Sequence, residues 1–195
     1  MIEANYTLKI TDIKSQIDTK NLAKNLELKS LEDFYDLCIF NSITSLDLDV
    51  VIDGFLNSKH DWQNKFYARS MILILNEHLE KIHNLMNSKF YKFLSSNRVF
   101  NSLENEIVES KKSYKDLNRR KSMLSNLRNN TIGHRNENGE SFYNSINNLD
   151  LQEIFNLVLD TQKILSKFTD LSTHIIKIIA EEFQEFYKEI KSKKL

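Results

Sequence analysis

Apolar residues recur every three or four positions along most of the chain, which is the spacing of an α-helix with one buried face. The first such stretch covers residues 1 to about 28, and Ser30 is suited to cap a second helix. A further apolar run extends from Leu46 to Leu56, and Gly54 is expected to terminate it. Strand-type alternation flanked by turn pairs is missing, so the pattern predicts helices from end to end.

The helix predicted to begin at Asp61 is the most apolar of the first half. Its apolar side chains cover more than one face, so we expect it to be central and buried on several sides. Arg69 and Glu77 lie eight residues apart, close to the same side of this helix. Because polar groups on a buried helix need partners, these two satisfy each other, cap neighbouring parts of the chain or support a functional site.

The second half begins with a long helical pattern from about Val99 to Ile132. Arg128 follows Leu124 by four residues, so it should point into the apolar stripe of this helix. A guanidinium in that position needs an anionic or hydrogen-bonding partner in the fold, at an interface or in a ligand. The helix is predicted to end at Gly133, with His134 just outside it.

A polar loop is expected after this helix, followed by one more helical stretch. Asp150 is suited to cap that stretch, because Glu153 stands at the third position of a capping-box-like pair. The pattern then continues to about Lys193, with a break expected near residues 166–172, where Ser, Thr and Asp cluster.

Composition supports an all-α protein with a single domain over residues 1–195. The chain has 195 residues, no proline and only three glycines, so little interrupts helices. No apolar run approaches the length that crosses a bilayer, and residues 1–5 do not open a signal peptide. The lone Cys38 cannot form an internal disulfide, which fits a reducing compartment. We therefore expect a cytoplasmic protein without a membrane partner.

Charge is balanced overall, with 27 basic and 27 acidic residues, but it is unevenly distributed. Between residues 111 and 135 Asp116 is the only acid, whereas the basic residues are Lys111, Lys112, Lys115, Arg119, Arg120, Lys121, Arg128 and Arg135. Such a run is most often a solvated helix face. The alternative is a surface that binds phosphate groups.

Arg128 and His134 together could cleave RNA. Attack of a 2′-hydroxyl on the neighbouring phosphorus needs a base for the hydroxyl proton, and histidine suits that task near neutral pH. Arginine supplies a fixed charge and forked donors that match phosphate oxygens. The sequence offers no convincing metal-ligand set and implies no cofactor. One histidine cannot easily act as both base and acid, but a homodimer would supply two.

The structural alternative for the same residues is a simple helix C-terminus. Arg and His are favoured there by the helix dipole, and Gly133 would be an ordinary C-cap residue. The bare Arg–His spacing is common by chance. What favours a site is its context, namely a helix end, Asn129 directly after the Arg, Gly133 before the His, and the basic residues that precede them.

The segment from Leu127 to Asn136 resembles the signature of the HEPN superfamily, in which Arg is followed by a polar residue and then, four to six residues after the Arg, by His. Its spacing and its flanking Gly and Arg are similar to those of the abortive-infection-type branch. The resemblance implies an up-and-down bundle of four to five long helices with short accessory helices, which dimerises so that the motifs of both protomers line one cleft. Many such proteins are metal-independent endoribonucleases that act as toxins or phage-defence effectors, and some are non-cleaving binders.

The resemblance also implies a role for each residue that matches the motif. Arg128 would stabilise the scissile phosphate, His134 would be the acid–base residue, and Asn129 would orient it. The RNA-binding residues expected from the charge distribution, apart from the resemblance, are Lys112, Lys115, Arg119, Arg120 and Arg135. An antitoxin or a sensor protein is a possible regulatory partner.

Three hypotheses therefore follow from the sequence. The first is a homodimeric HEPN-type ribonuclease. The second is a non-catalytic module in which the basic segment binds RNA or an acidic protein. The third is a helical interaction protein in which Arg128 merely pairs with Glu77 or another carboxylate.

Overall fold

The computed structural model describes residues 2–133 and 138–192, except for the side chains of residues 2–4, 83, 84, 87, 88, 133 and 191. This part of the chain contains helices and no strand. The α-helices are α1 (Ile2–Asn25), α2 (Lys29–Leu56), α3 (Asp61–Leu85), α4 (Tyr91–Ser96), α5 (Glu104–Asn118), α6 (Lys121–Arg128), α7 (Gly139–Asn147), α8 (Leu151–Glu181) and α9 (Phe183–Ser192). Two π-helical segments, Met86–Phe90 and Asn129–Gly133, and a 3₁₀ helix, Arg98–Leu103, lie between them.

The all-α prediction is confirmed, and several of the helices are long. The most extended are α2, α3 and α8, with 28, 25 and 31 residues. Each combines a stripe of apolar residues with good helix formers, so packing and propensity favour the same conformation. Within the described residues, no helix is both long enough and apolar enough to cross a membrane.

Several predicted helix boundaries were wrong. The helix expected after Ser30 and the run expected from Leu46 to Leu56 form the single helix α2, and α8 continues through residues 166–172. There the hydroxyl groups of Thr169 and Thr173 donate to the carbonyls four residues earlier, at 3.0 and 2.9 Å, so the polar side chains are satisfied inside the helix. The expected helix from Val99 to Ile132 is instead divided between α5 and α6. The Arg120 N–H donates to the Leu117 carbonyl at 3.0 Å, which closes a tighter turn at that point.

Side-chain caps define the start of two helices in the second half. Asn138 precedes α7, and its side-chain oxygen accepts from the N–H groups of Glu140 and Ser141 at 3.0 and 3.1 Å. This cap lets a helix form where a polar loop was expected. The Asp150 cap of α8 was predicted and is confirmed, because its carboxylate accepts from the Glu153 N–H at 2.9 Å.

Contacts divide the chain into two compact units, to which α2, α3, α5 and α8 each contribute. The first unit comprises Met1–Ile43, Ile82–Tyr114 and Ile164–Leu195. Its core is rich in aromatic rings that lie within about 6 Å of one another, and it contains Phe34, Phe90, Phe93, Phe100, Phe168 and Phe186. All six are buried, so ring packing dominates the core of this unit. The expectation of one domain stays a prediction.

The second unit, Thr44–Lys81 and Lys115–Lys163, has an aliphatic core with polar groups inside it. Its fully buried apolar residues include Leu48, Met71, Ile72, Leu75, Leu124 and Val158. Lys65 is buried beside these residues, where its ammonium group binds Asp61 and donates to the Asn147 side chain at 2.6 Å. His78 is buried as well, and its Nδ1 lies 3.2 Å from the Thr44 hydroxyl.

Burial of His78 should make the folded state sensitive to acid. Burial lowers the pKa of His78 from 6.5 to about 4. Between these two pH values His78 is therefore protonated in the unfolded chain and neutral in the folded chain. The contribution of His78 to the free energy of unfolding is therefore complete above pH 6.5 and is lost as the pH falls toward 4. The full difference between the pKa of 6.5 and the pKa of about 4 corresponds to about 3 kcal/mol.

This expectation is checked by urea unfolding of the protein at a series of pH values between 7 and 4. His78→Gln should flatten the dependence of the unfolding free energy on pH in that window. His60→Gln, at an exposed histidine, is the matched control and should leave the dependence unchanged. An unchanged slope in His78→Gln would contradict the assignment.

Candidate functional site

Arg128 occupies the last turn of α6, as the sequence predicts. Leu124 lies one turn earlier on the same side of the helix and is fully buried, which draws the Arg128 stem inward. Arg128 itself is half-buried, and its Nε atom is buried without a hydrogen-bond partner among the described residues. A guanidinium donor in this state is suited to an anionic ligand.

The residues that follow Arg128 form a π-helical segment, Asn129–Gly133, rather than a continuation of the α-helix. Thr131 anchors this segment, because it is buried and its hydroxyl donates to the Leu127 carbonyl at 2.7 Å. Asn129 and Asn130 are exposed beside it. Single π-helical turns are rare and are found frequently at functional sites, because they redirect side chains relative to the preceding helix.

A groove of about 290 Å³ lies along the π-helical segment within the second unit. Asn130 and Thr131 line one side of it, and Ser145, Asn148 and Asp150 belong to the following elements. Helix α7 packs against the π-helical segment, so it helps to fix the conformation of the residues that follow Arg128. The groove therefore carries amide and hydroxyl groups as well as carboxylates next to the motif.

Two of the predicted site residues, His134 and Arg135, lie outside the described residues. The prediction that the His134 imidazole lies close to the Arg128 guanidinium therefore stays a prediction. What the structure defines is the helix end from which the His134 segment continues.

The remaining predicted RNA-binding residues are exposed. Lys112 belongs to the first unit, and Lys115, Arg119 and Arg120 belong to the second. Arg119 Nη1 lies 2.8 Å from the Asp116 carboxylate, but both side chains remain largely exposed and such a surface pair is weak. These cations are consequently accessible to a partner.

The two supporting residues on α3 differ in their surroundings. Arg69 is half-buried and its guanidinium lies over the Phe142 ring, 5.7 Å from the ring centre. Glu77 is exposed near Asp47, whose carboxyl pKa is raised by burial and, to a smaller degree, by the Glu77 charge. Among the described residues no ion pair joins Arg128 to Glu77. The third hypothesis, which also allows another carboxylate as the partner of Arg128, stays a prediction. A supporting role for Arg69 or Glu77 stays a prediction.

An exposed aromatic pair in the second unit was missed by the sequence analysis. Trp62 on α3 and Tyr143 on α7 stack with their ring centres 5.9 Å apart and their planes 14° from parallel. Half of each residue remains exposed, 50% for Trp62 and 52% for Tyr143. No local signal could have revealed the pair, because Tyr143 falls in the stretch that was expected to be a polar loop.

The fold is an all-α helical bundle, but its family is not established by comparison. Neither protein-family models, nor curated proteins, nor solved structures gave a significant match to this chain. The HEPN resemblance therefore rests on the motif in residues 127–136.

Proposed function

We propose that the protein is a metal-independent endoribonuclease of HEPN type, acting as a homodimer. The observation that carries this proposal is the state of Arg128, whose buried Nε has no partner among the described residues. The proposal also draws on the sequence around it, because Asn129 follows directly and His134 comes one short segment later. A toxin or phage-defence effector of the cytoplasm, controlled by an antitoxin or a sensor protein, is the corresponding biological role.

The chemistry follows from the properties of the two side chains. His134 takes the proton of the ribose 2′-hydroxyl, and the oxygen then attacks the neighbouring phosphorus. The bond to the 5′-oxygen breaks, leaving a 2′,3′-cyclic phosphate on one fragment. That departing oxygen gains a proton from the second His134 of the dimer. Arg128 donates to the phosphate oxygens, where negative charge accumulates during attack.

Burial of part of the Arg128 side chain favours this role. A guanidinium that is already partly removed from water loses less hydration when a phosphate binds, and it gains charge-assisted hydrogen bonds. Asn129, which is exposed beside it, would orient the imidazole or the phosphate. No cofactor enters this scheme.

The exposed aromatic pair offers a stacking surface for an RNA base. Each base stacked on an aromatic side chain contributes about 1–3 kcal/mol to single-strand binding, so Tyr143→Ala should weaken RNA affinity by roughly tenfold or more. Tyr143→Phe should retain most of the affinity. The measurement is fluorescence anisotropy with a labelled, uncleavable 2′-O-methyl RNA.

Phe183→Ala is the matched control for this prediction. Phe183 is another partly exposed aromatic residue, 43% exposed, but it belongs to the first unit. Its substitution should leave RNA affinity unchanged. Equal affinities of wild type and Tyr143→Ala would remove the aromatic pair from the RNA-binding surface.

The proposed function is tested by incubating single-stranded RNA with the protein in the presence of EDTA. Cleavage by the wild type under these conditions is the expected result, since no step needs a metal. RNA that binds but stays intact would instead support the second candidate.

The second candidate is a non-catalytic RNA-binding or protein-interaction module. The exposure of Lys115, Arg119 and Arg120 favours it, because these cations could hold a phosphate backbone without any help from His134. It predicts salt-sensitive binding without product. Substitution of Arg119 and Arg120 should then impair binding more than substitution of His134 does.

A further inference from the structure

The groove of about 290 Å³ along the π-helical segment has a polar lining that a ligand can reach. Its exposed polar residues are Asn130, Asn148, Asp150 and Glu153. Leu127, Leu149 and Ile154 add apolar surface between them. The volume is close to about 300 Å³, where the sites of drug-sized ligands begin, so the groove can hold one flat nucleobase.

The charge of the groove separates a base from its phosphate. Asp150 and Glu153 are the charged members of the described lining, which contains no lysine, arginine or histidine. A phosphate is repelled from these carboxylates and attracted to Arg128, which stands between Leu127 and Asn130 in the chain. A nucleotide whose phosphate is held by Arg128 therefore directs its uncharged base into the groove.

The Glu153 carboxylate is the acceptor in the groove that is available to such a base. Asp150 uses one of its carboxylate oxygens to accept from the Glu153 N–H at 2.9 Å, as the cap of α8. This bond fixes the backbone from which the Glu153 side chain extends. Among the described residues no hydrogen bond or ion pair engages the Glu153 carboxylate. Both of its oxygens can therefore accept hydrogen bonds from one ligand.

The four RNA bases differ in what they offer to a carboxylate. The Watson–Crick edge of guanine carries two adjacent donors, N1–H and the N2 amino group, which match the two oxygens. Adenine and cytosine carry one amino donor beside a ring nitrogen that accepts, and uracil carries one donor between two carbonyl oxygens. In these three bases a lone pair would face a carboxylate oxygen, and the repulsion disfavours them. The amide groups of Asn130 and Asn148 can donate to guanine O6.

We propose that this groove selects a guanine next to the cleaved phosphate, with Glu153 accepting from its N1–H and its N2 amino group. The inference rests on the proposed ribonuclease function, because Arg128 must hold the phosphate of the same strand. It specifies the substrate as single-stranded RNA, since the Watson–Crick edge of a guanine in a duplex is already occupied.

The proposal is tested by single-turnover cleavage, in EDTA, of 2′-O-methyl oligonucleotides that contain one ribose. Each of the four bases is placed in turn on either side of the cleavable phosphate. Guanine on one of the two sides should raise the rate about tenfold or more over the other three bases, as a bidentate base contact does. Inosine, which lacks the N2 amino group, should give an intermediate rate.

Two outcomes of this experiment would overturn the guanine site. Equal rates for all four bases on both sides would remove it and leave the ribonuclease function standing. A guanine preference that appears only when Mg²⁺ replaces EDTA would assign the carboxylates to a cation instead of a base.

Binding distinguishes a failure of this inference from a failure of the ribonuclease function. Fluorescence anisotropy with fully 2′-O-methylated oligonucleotides should show about tenfold tighter binding of the guanine sequence than of the adenine sequence. This preference without any cleavage would overturn the ribonuclease function and retain the guanine site.

Glu153→Gln tests the residue directly. The amide presents one oxygen and one N–H₂ group, so a donor of guanine loses its acceptor. The ratio of guanine to adenine rates should fall about tenfold or more, while the rate on the adenine substrate and the melting temperature change little. Glu140→Gln is the matched control, because Glu140 is exposed in the first turn of α7 and does not line the groove. It should keep the wild-type ratio, and an unchanged ratio in Glu153→Gln would contradict the assignment.

Discussion

Replacing Arg128 or His134 with alanine is expected to reduce RNA cleavage by orders of magnitude while the dimer and the helix content change little. Loss of a preorganised donor to the developing phosphate charge lowers the rate roughly 10²–10³-fold. Loss of a general acid–base group lowers it roughly 10²–10⁴-fold. The measurement is the single-turnover rate on a labelled RNA, with circular dichroism and sedimentation of each variant.

Two further variants sharpen this prediction. Arg128→Lys keeps the positive charge but loses the forked donors, so it should recover only part of the rate. Arg98→Ala removes an exposed arginine of the first unit and should cleave as the wild type does. Wild-type rates in both alanine variants of the motif would remove the ribonuclease assignment.

Replacing Phe34 with alanine is expected to cause a large decrease in the free energy of unfolding. Phe34 is 1% exposed and its ring centre lies 5.3, 6.0 and 6.2 Å from those of Tyr35, Phe90 and Phe93. Truncation removes these contacts and leaves a cavity, at a cost of about 3–5 kcal/mol. Urea unfolding monitored by circular dichroism measures the change.

Phe66→Ala is the control for this substitution, because Phe66 is 57% exposed. It should change the free energy of unfolding by less than about 1 kcal/mol, as surface substitutions usually do. If Phe34→Ala lowered the free energy of unfolding no more than the control does, the aromatic cluster would not be a main source of stability in the first unit.

The helical class could be predicted from the sequence because apolar spacing and the lack of proline both favour helices. The positions of the breaks could not. A hydroxyl can end a helix as a cap or remain inside it by bonding back to its own carbonyls, and Thr169 and Thr173 do the latter. The reverse case is Asn138, where a single cap allows a helix in a stretch that reads as loop.

Only the local geometry of the candidate site could be predicted from the sequence. The inward direction of Arg128 follows from its distance of four residues from Leu124. Its Nε atom has no partner among the described residues, and this depends on side chains from other helices. The spacing of apolar residues does not predict those contacts. The same limit applies to the stacking of Trp62 with Tyr143, since these residues come from helices far apart in the chain.

The most direct test of the central proposal is the chemistry of the cleaved ends. The wild-type protein, in EDTA, should convert an RNA oligonucleotide into fragments that carry 2′,3′-cyclic phosphate and 5′-hydroxyl ends. The same oligonucleotide with 2′-deoxyribose at the cleaved position should stay intact there. Cleavage of the deoxy-substituted position, or fragments with 5′-phosphate ends, would contradict attack by the 2′-hydroxyl and with it the role proposed for Arg128 and His134.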